Sequence, residues 1–377
     1  MDVISFCSDL IRCKSVTPQD DGALNLISNF LSAVGFETRI LTFQSDDGRN
    51  VVKNLFAEYR NAGDKILGFI GHSDVVPAGE DWEVDPFAAI QKYGYLIGRG
   101  VADMKGGIAA FCCAAAQFVR QSFDGTIEIF ITGDEEVGSS EGMQSLLKWA
   151  TESNRIPQYC LIGEPSSDAQ LGDRIYLGHR GSLNVEVKSF GKQGHSAYPG
   201  GYKNSLAALC KYIAKISDYP WKHEDKRFPK TNLEVTMLFT NNYAANVIPD
   251  LSTANLNIRF GADYTVEELK TILEQEAKSF DSAFAFQPSG EAYYCNDEFL
   301  KNTLSGAITD IVGINPYFSA AGGTSDGRFM IRHCNIIEFG LPDATIHQKN
   351  EKVKLEDLKN LEKIYLLFLK KYFFHDS

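Results

Sequence analysis

The sequence predicts an α/β catalytic domain, with a mixed central sheet flanked by helices, carrying an inserted ferredoxin-like α+β domain. Three observations predict it. Short, apolar, β-rich runs alternate with helical stretches in the first half of the chain. The middle switches to strands with one wet face in the order βαββαβ. Strand and helix of the first style then return near the C-terminus. The predicted boundaries are 1–180 with 291–377 for the catalytic domain and 181–290 for the insert.

Taken in order, MDVISFCSDLIRC alternates apolar with polar residues and opens with an acid, so it reads as an amphipathic helix and not as a targeting segment. Ile66–Gly71, Thr126–Thr132 and Tyr159–Gly163 have the length and composition of interior strands. Between the first two lies GGIAAFCCAAAQFVRQ, a helix over about 105–121, and a second helix near 141–153 precedes the third strand. In SLNVEVKSF, Leu183, Val185 and Val187 alternate with polar neighbours. A helix at about 203–217 follows, then the strands LEVTMLFT and TANLNIRF. Thr265 and Glu268 form a capping box opening a helix that ends near Phe280, and AFAFQPS is the last strand of the insert. Asn335–Phe339 and a helix over about 354–373 complete the catalytic domain. With helices on one sheet face, an edge strand of the insert is available to pair with a second copy, so a homodimer is expected through it.

At 377 residues and 44% hydrophobic, the chain can bury a large core. A net charge of −12 argues against a nucleic-acid partner and against a polybasic membrane surface, and no apolar stretch reaches membrane-spanning length. The eight cysteines fall at no ligand-like or disulfide-like spacing, and Cys112-Cys113 read as small buried helix residues. A reduced, cytoplasmic location is the expectation.

Six residues carry the chemistry. His72, Asp103, Glu135, Glu136, Glu164 and His347 lie at or just past the ends of apolar runs. In an open α/β sheet such strand ends converge on one rim. Two imidazoles and four carboxylates suffice to hold two divalent ions and leave one carboxylate as a base. Asp74, two residues from His72, faces the same side and is placed to orient the imidazole. Asp103, at the start of the Ala-rich helix, has two oxygens with which to bridge two ions. Glu135 and Glu136 are adjacent, so one backbone does not aim both at one ion; one is a ligand and the other a base.

GHSDVVPAG, GRGVADMKGG, TGDEEVG, GEPSS and the late His347 resemble the dizinc aminoacylase and carboxypeptidase family of amidohydrolases, over nearly the whole chain. The resemblance implies two Zn ions, with Co or Mn as substitutes: His72 and Glu164 on one, Glu136 and His347 on the other, Asp103 bridging. It makes Glu135 the general acid/base. In GKQGHSAYP, His195 matches a histidine that reaches into the partner subunit's site of a homodimer and stabilises the oxyanion. Arg180 and Arg259 match cations that bind substrate carboxylates, an Arg fork being suited to them. Asn246, Gly323, Thr324 and Ser325 match hydrogen-bonding positions for a small anionic substrate. The implied reaction is hydrolysis of an acylated amino acid. N-acetylornithine is a rival substrate, and a non-catalytic metal-stabilised binding protein is the rival of another class. Two positions depart from the family pattern, with Tyr176 in place of a Lys and His179 in place of an Arg.

Overall fold

Thr126–Thr132, Ile66–His72, Tyr159–Ile162 and Asn335–Glu338 are nearly all apolar and buried, and in the computed structural model they lie side by side, parallel, in that order. Parallel pairing sends all four carboxyl ends to one edge. In register, His72 stands opposite Thr132, and Ile162 opposite Ile70 and Glu338. The structure describes residues 2–44, 51–137 and 141–374, so Gly138 of the TGDEEVG segment lies outside the described residues. Among them the chain divides into two compact units: Met1–Gly178, Tyr294–Ser319 and Ser325–Ser377 form one, His179–Tyr293 and Ala320–Thr324 the other. The short stretch Ala320–Thr324 clusters with the insert, a grouping the linear boundaries above do not contain.

In the first unit the sheet has eight strands and is mixed. Val51–Arg60 and Glu37–Gln44 extend it antiparallel beyond Thr126–Thr132. At the far side Arg174–Tyr176 runs antiparallel to Asn335–Glu338, and Tyr317–Ser319 is outermost. Their polar residues give no continuous apolar run, which is why the sequence pattern passed over these four. The helix Gly106–Phe118 is buried along almost its whole length, as its Ala-rich composition requires of an element packed on every side. It stacks Phe111 on Phe69 of the sheet at 4.0 Å, and Tyr365 of the helix Leu355–Phe374 meets both rings edge-on. Gly107 makes this seating possible, because a Cβ there would collide with the Gly163 carbonyl just before Glu164. The N-terminal helix Val3–Arg12 is capped by the Asp2 carboxylate and buries Val3, Phe6, Leu10 and Ile11. A further helix, Glu298–Val312, is capped by Asp297.

The second unit has an antiparallel sheet of four strands, in the order Asn232–Phe239, Leu251–Phe260, Gly181–Phe190, Asp281–Gly290. The helices Ser205–Ser217 and Val266–Glu276 pack Leu209, Tyr212, Leu269 and Leu273 into a core with Val185, Leu256 and Ile258. The capping box at Thr265 and Glu268 is formed in both directions. This is the βαββαβ order expected of a ferredoxin-like sandwich. Its edge strand Asn232–Phe239 leaves Val235, Met237, Leu238 and Phe239 exposed.

Candidate functional site

Carboxyl ends of the parallel strands, with the loops that carry Asp103 and His347, bring five of the six candidate residues into one cluster. His72 ends its strand with Nε2 at 3.0 Å from Asp103 Oδ1 and 3.6 Å from Glu164 Oε1. His347, in the left-handed conformation, sets its Nε2 at 3.0 Å from Glu136 Oε1 and 3.4 Å from Asp103 Oδ2. The two Asp103 oxygens therefore face different imidazoles, the arrangement of a bridging carboxylate. Ligand atoms of His72, Asp103 and Glu136 lie within 4.8 Å of one another.

The pair Glu135–Glu136, which spacing alone left open, is divided by the structure. Both backbone N–H groups donate to the Asp74 carboxylate, at 3.2 and 3.1 Å, and this pins the turn. From it Glu136 points to His347, while Glu135 Oε1 lies 3.7 Å from Arg328 Nη1. Asp74 thus acts differently in detail from the expectation. Its backbone carbonyl, not its carboxylate, sits at bonding distance (2.9 Å) from His72 Nδ1, with the carboxylate oxygen at 3.6 Å. The carboxylate is occupied by the two N–H groups of the Glu turn.

Crowding of acids dominates the electrostatics. Burial disfavours the His72 charge, yet Glu164, Asp103 and Asp74 outweigh it and hold the imidazole well above its usual 6.5. Bonds to Asp103 and Glu136 raise His347 to about 10. Asp103 is lowered, against its burial, by the two imidazoles. Burial pushes Glu135 up to about 8, with Asp326 and Glu136 adding to the rise against His72 and Arg328. Burial likewise pushes Glu164 well up, with Asp103 and Glu135 adding against His72. The cluster favours positive charge among its members, and its imidazole nitrogens and carboxylate oxygens are donors that fit Zn, Co or Mn.

Three residues around the cluster had no role in the sequence reading. Asp326 is buried and accepts the Thr132 hydroxyl at 2.8 Å; Arg328 donates to the Ser325 carbonyl at 2.8 Å on its way to Glu135. Both lie in GGTSDGRF, which local pattern reads as an ordinary turn. Glu351 is buried against the loop before Asp103. Ser325 directs its hydroxyl to Glu338 at 2.9 Å.

The remaining candidates lie in the second unit. Arg180 and Arg259 are half-buried and have neutral amide neighbours, Arg180 Nη1 donating to Asn232 at 2.8 Å and Arg259 Nε to Asn257 at 3.1 Å. Burial lowers both guanidinium pKa values, and Arg259 lowers that of Arg180 further, so the two cations sense one another. His195 is exposed. Its Nδ1 accepts the Ala197 N–H at 3.1 Å, and its Nε2 lies 3.3 Å from the Asn246 amide nitrogen. Gly323 and Thr324 follow Gly322, which bridges to His179. The Thr324 hydroxyl is buried without a hydrogen-bond partner among the described residues. Of the two departures, Tyr176 is buried with its ring under the Arg174 guanidinium at 4.7 Å, and His179 is buried beside the Tyr293 ring.

Residues 68–371 match the family described as Peptidase family M20/M25/M40. A curated protein of Zymomonas mobilis subsp. mobilis, named succinyl-diaminopimelate desuccinylase, is 42% identical over 366 residues covering 96% of each chain. Among solved structures, an M20 family metallo-carboxypeptidase from Sulfolobus solfataricus aligns with a TM-score of 0.83 at 17% identity, covering 99% of both chains. A dinuclear metal binding peptidase of the M20 family from Bacillus subtilis aligns at 0.70 with 15% identity, covering 97% of this chain and 96% of that one. At such identities the two structures speak for the fold.

Proposed function

This chain belongs to peptidase family M20/M25/M40, and we propose that its reaction is hydrolysis of the amide bond of N-succinyl-LL-2,6-diaminopimelate to succinate and LL-2,6-diaminopimelate, a step of lysine and diaminopimelate biosynthesis. One observation supports the chemistry above the rest: Asp103 faces an imidazole with each oxygen while Glu135 stands aside from the metal-ligating atoms. The near-full-length likeness to the Zymomonas protein supports the substrate.

His72 and Glu164 would hold one zinc ion, Glu136 and His347 the other, and Asp103 both. When bound, the ions supply Lewis-acid polarisation of the amide carbonyl and acidify the attacking water towards about 7. Glu135 takes the proton from that water and passes it to the leaving amine nitrogen, so the C–N bond breaks as a neutral amine departs. Arg328, with Nη1 at 3.7 Å from Glu135 Oε1, helps to hold that carboxylate in place. Arg180 and Arg259 bind substrate carboxylates, with Asn246, Gly323, Thr324 and Ser325 adding hydrogen bonds. His195 stabilises the oxyanion in the partner's site of a homodimer formed through the exposed strand Asn232–Phe239. No helix among the described residues is long and apolar enough to cross a membrane, and the eight cysteines are free, which suits the proposed cytoplasmic location.

A second reading is favoured by Tyr176 and His179, where cations of the family pattern are replaced: a deacylase for another acyl amino acid, such as N-acetylornithine. Steady-state hydrolysis of both substrates by zinc-loaded protein, with Glu135→Gln as the blank, separates the two. Preference for the succinyl substrate supports the first. Preference for the acetyl one, or no activity on either, moves the assignment to another acyl group.

A further inference from the structure

Glu351 is 1% exposed and takes part in no step above. Its two oxygens accept four hydrogen bonds from one loop. Oε2 accepts from Arg99 Nη1 at 2.8 Å and from the Gly100 N–H at 2.9 Å. Oε1 accepts from the Ala102 N–H at 2.8 Å and from the Asp103 N–H at 3.3 Å. Its own carbonyl accepts the Gly98 N–H at 3.0 Å, and the next residues, Lys352–Lys354, pair with Tyr95–Ile97. A single buried side chain therefore ties down the loop that ends in Asp103. It does so from a position four residues beyond His347, whose ring faces the same Asp103 carboxylate.

We propose that Glu351 is a positioning residue for the metal cluster, fixing the backbone of Asp103 relative to His347 so that one carboxylate spans both ions. The proposal rests on the ligand set given under the proposed function. The side-chain type follows from the geometry. Four donors on two sides require two acceptor oxygens, and three of the donors are backbone N–H groups that no rotamer moves aside. Gln would turn its NH2 against one pair of donors. Arg99 balances the buried charge while lying over the Trp82 ring at 5.2 Å.

The test is calorimetric titration of zinc into metal-free wild type, Glu351→Gln, Arg99→Lys and His347→Ala, with thermal midpoints of the metal-free proteins alongside. Wild type should take two ions per chain and His347→Ala one. Glu351→Gln should weaken both binding events about 10–100-fold, the size expected when a partner that orients a ligand is lost. Arg99→Lys keeps the charge and leaves the three backbone bonds, so its midpoint should fall while its zinc affinity stays at the wild-type value. Wild-type affinity at both sites of Glu351→Gln overturns the proposal. So do affinity losses in the two variants that merely track their losses of thermal stability. Should Glu351→Gln not fold, Arg99→Lys decides alone, since a loss of affinity in step with its midpoint overturns the proposal too. Fewer than two ions on wild type would sink the ligand set itself, and with it the statement that the clamped carboxylate spans two ions.

Discussion

In the first unit His72, Asp103 and Glu136 reach their positions through backbone ends of buried strands and through carboxylates that bind N–H groups, as Asp74 does for the Glu135–Glu136 turn. In the insert His195 and Asn246 stand exposed with little besides one another and the Ala197 N–H, and Arg180 and Arg259 lean on single amides. One set is tied down by backbone bonds, and the other is left with few partners. Variants of the first set should therefore abolish chemistry, and variants of the second should change only what is bound.

The largest effect should come from removing the proposed proton carrier beside the first set. Glu135→Gln is expected to lower kcat about 10²–10⁴-fold, the usual contribution of a general base, while the protein still takes two ions per chain. Turnover near the wild-type rate would remove Glu135 from the mechanism. Next comes the insert's edge. A charge placed at Phe239 or Leu238 should convert a dimer to a monomer in sedimentation analysis, and activity should fall with the dimer if His195 works across it. A wild-type chain that is monomeric at micromolar concentration counts against both statements.

Smaller again are the effects expected at the proposed substrate cations. Arg180→Met or Arg259→Met should each cost about 1.5–3 kcal/mol of transition-state binding, the worth of a hydrogen bond to a charged group, or roughly 10–100-fold in kcat/KM. Zinc stoichiometry should not change. If either variant lost zinc, the two sets would not be separable in the way their contacts suggest.

Much of this was legible in the letters because strand ends announce themselves. His72, Glu135, Glu136 and Glu164 each follow an apolar run, and parallel pairing carries every such end to one rim. The division of labour between Glu135 and Glu136 was legible only through the family resemblance and not from spacing, since the turn's geometry depends on where two N–H groups find a carboxylate 61 and 62 residues away. Asp326 and Arg328 were hidden inside a Gly-rich turn, and Glu351 within a polar run after His347. Burial of a charge is invisible until long-range packing supplies its partners. The strands Glu37–Gln44 and Val51–Arg60 escaped for a related reason: lysine, arginine and glutamate on their exposed positions mask the apolar residues turned to the core.

A last effect, on stability and not on turnover, tests whether the first unit tolerates buried charges that have no catalytic use. Glu128, in the middle of the strand Thr126–Thr132, is fully buried directly opposite Glu58, and neither of its carboxylate oxygens has a hydrogen-bond partner among the described residues. Arg60 and Arg155 both pair with Glu58, at 2.7 and 2.5 Å. Burial, then the Glu58 charge, raises the Glu128 carboxyl from 4.5 to about 7. The folded protein therefore holds a proton there that the unfolded chain gives up near 4.5. Between about pH 4.5 and 7 the native state binds more protons, so stability falls as pH rises through that window and levels off above it. The contribution lost is at most about 3.5 kcal/mol by linkage, one pKa unit being about 1.4 kcal/mol. Glu128→Gln keeps the shape without the titration. Its urea midpoint should exceed that of wild type at pH 8, and the gap should close by pH 4.5. An equal gap at both pH values would mean that Glu128 is paired in solution and that the first unit tolerates an ionised carboxylate inside its sheet.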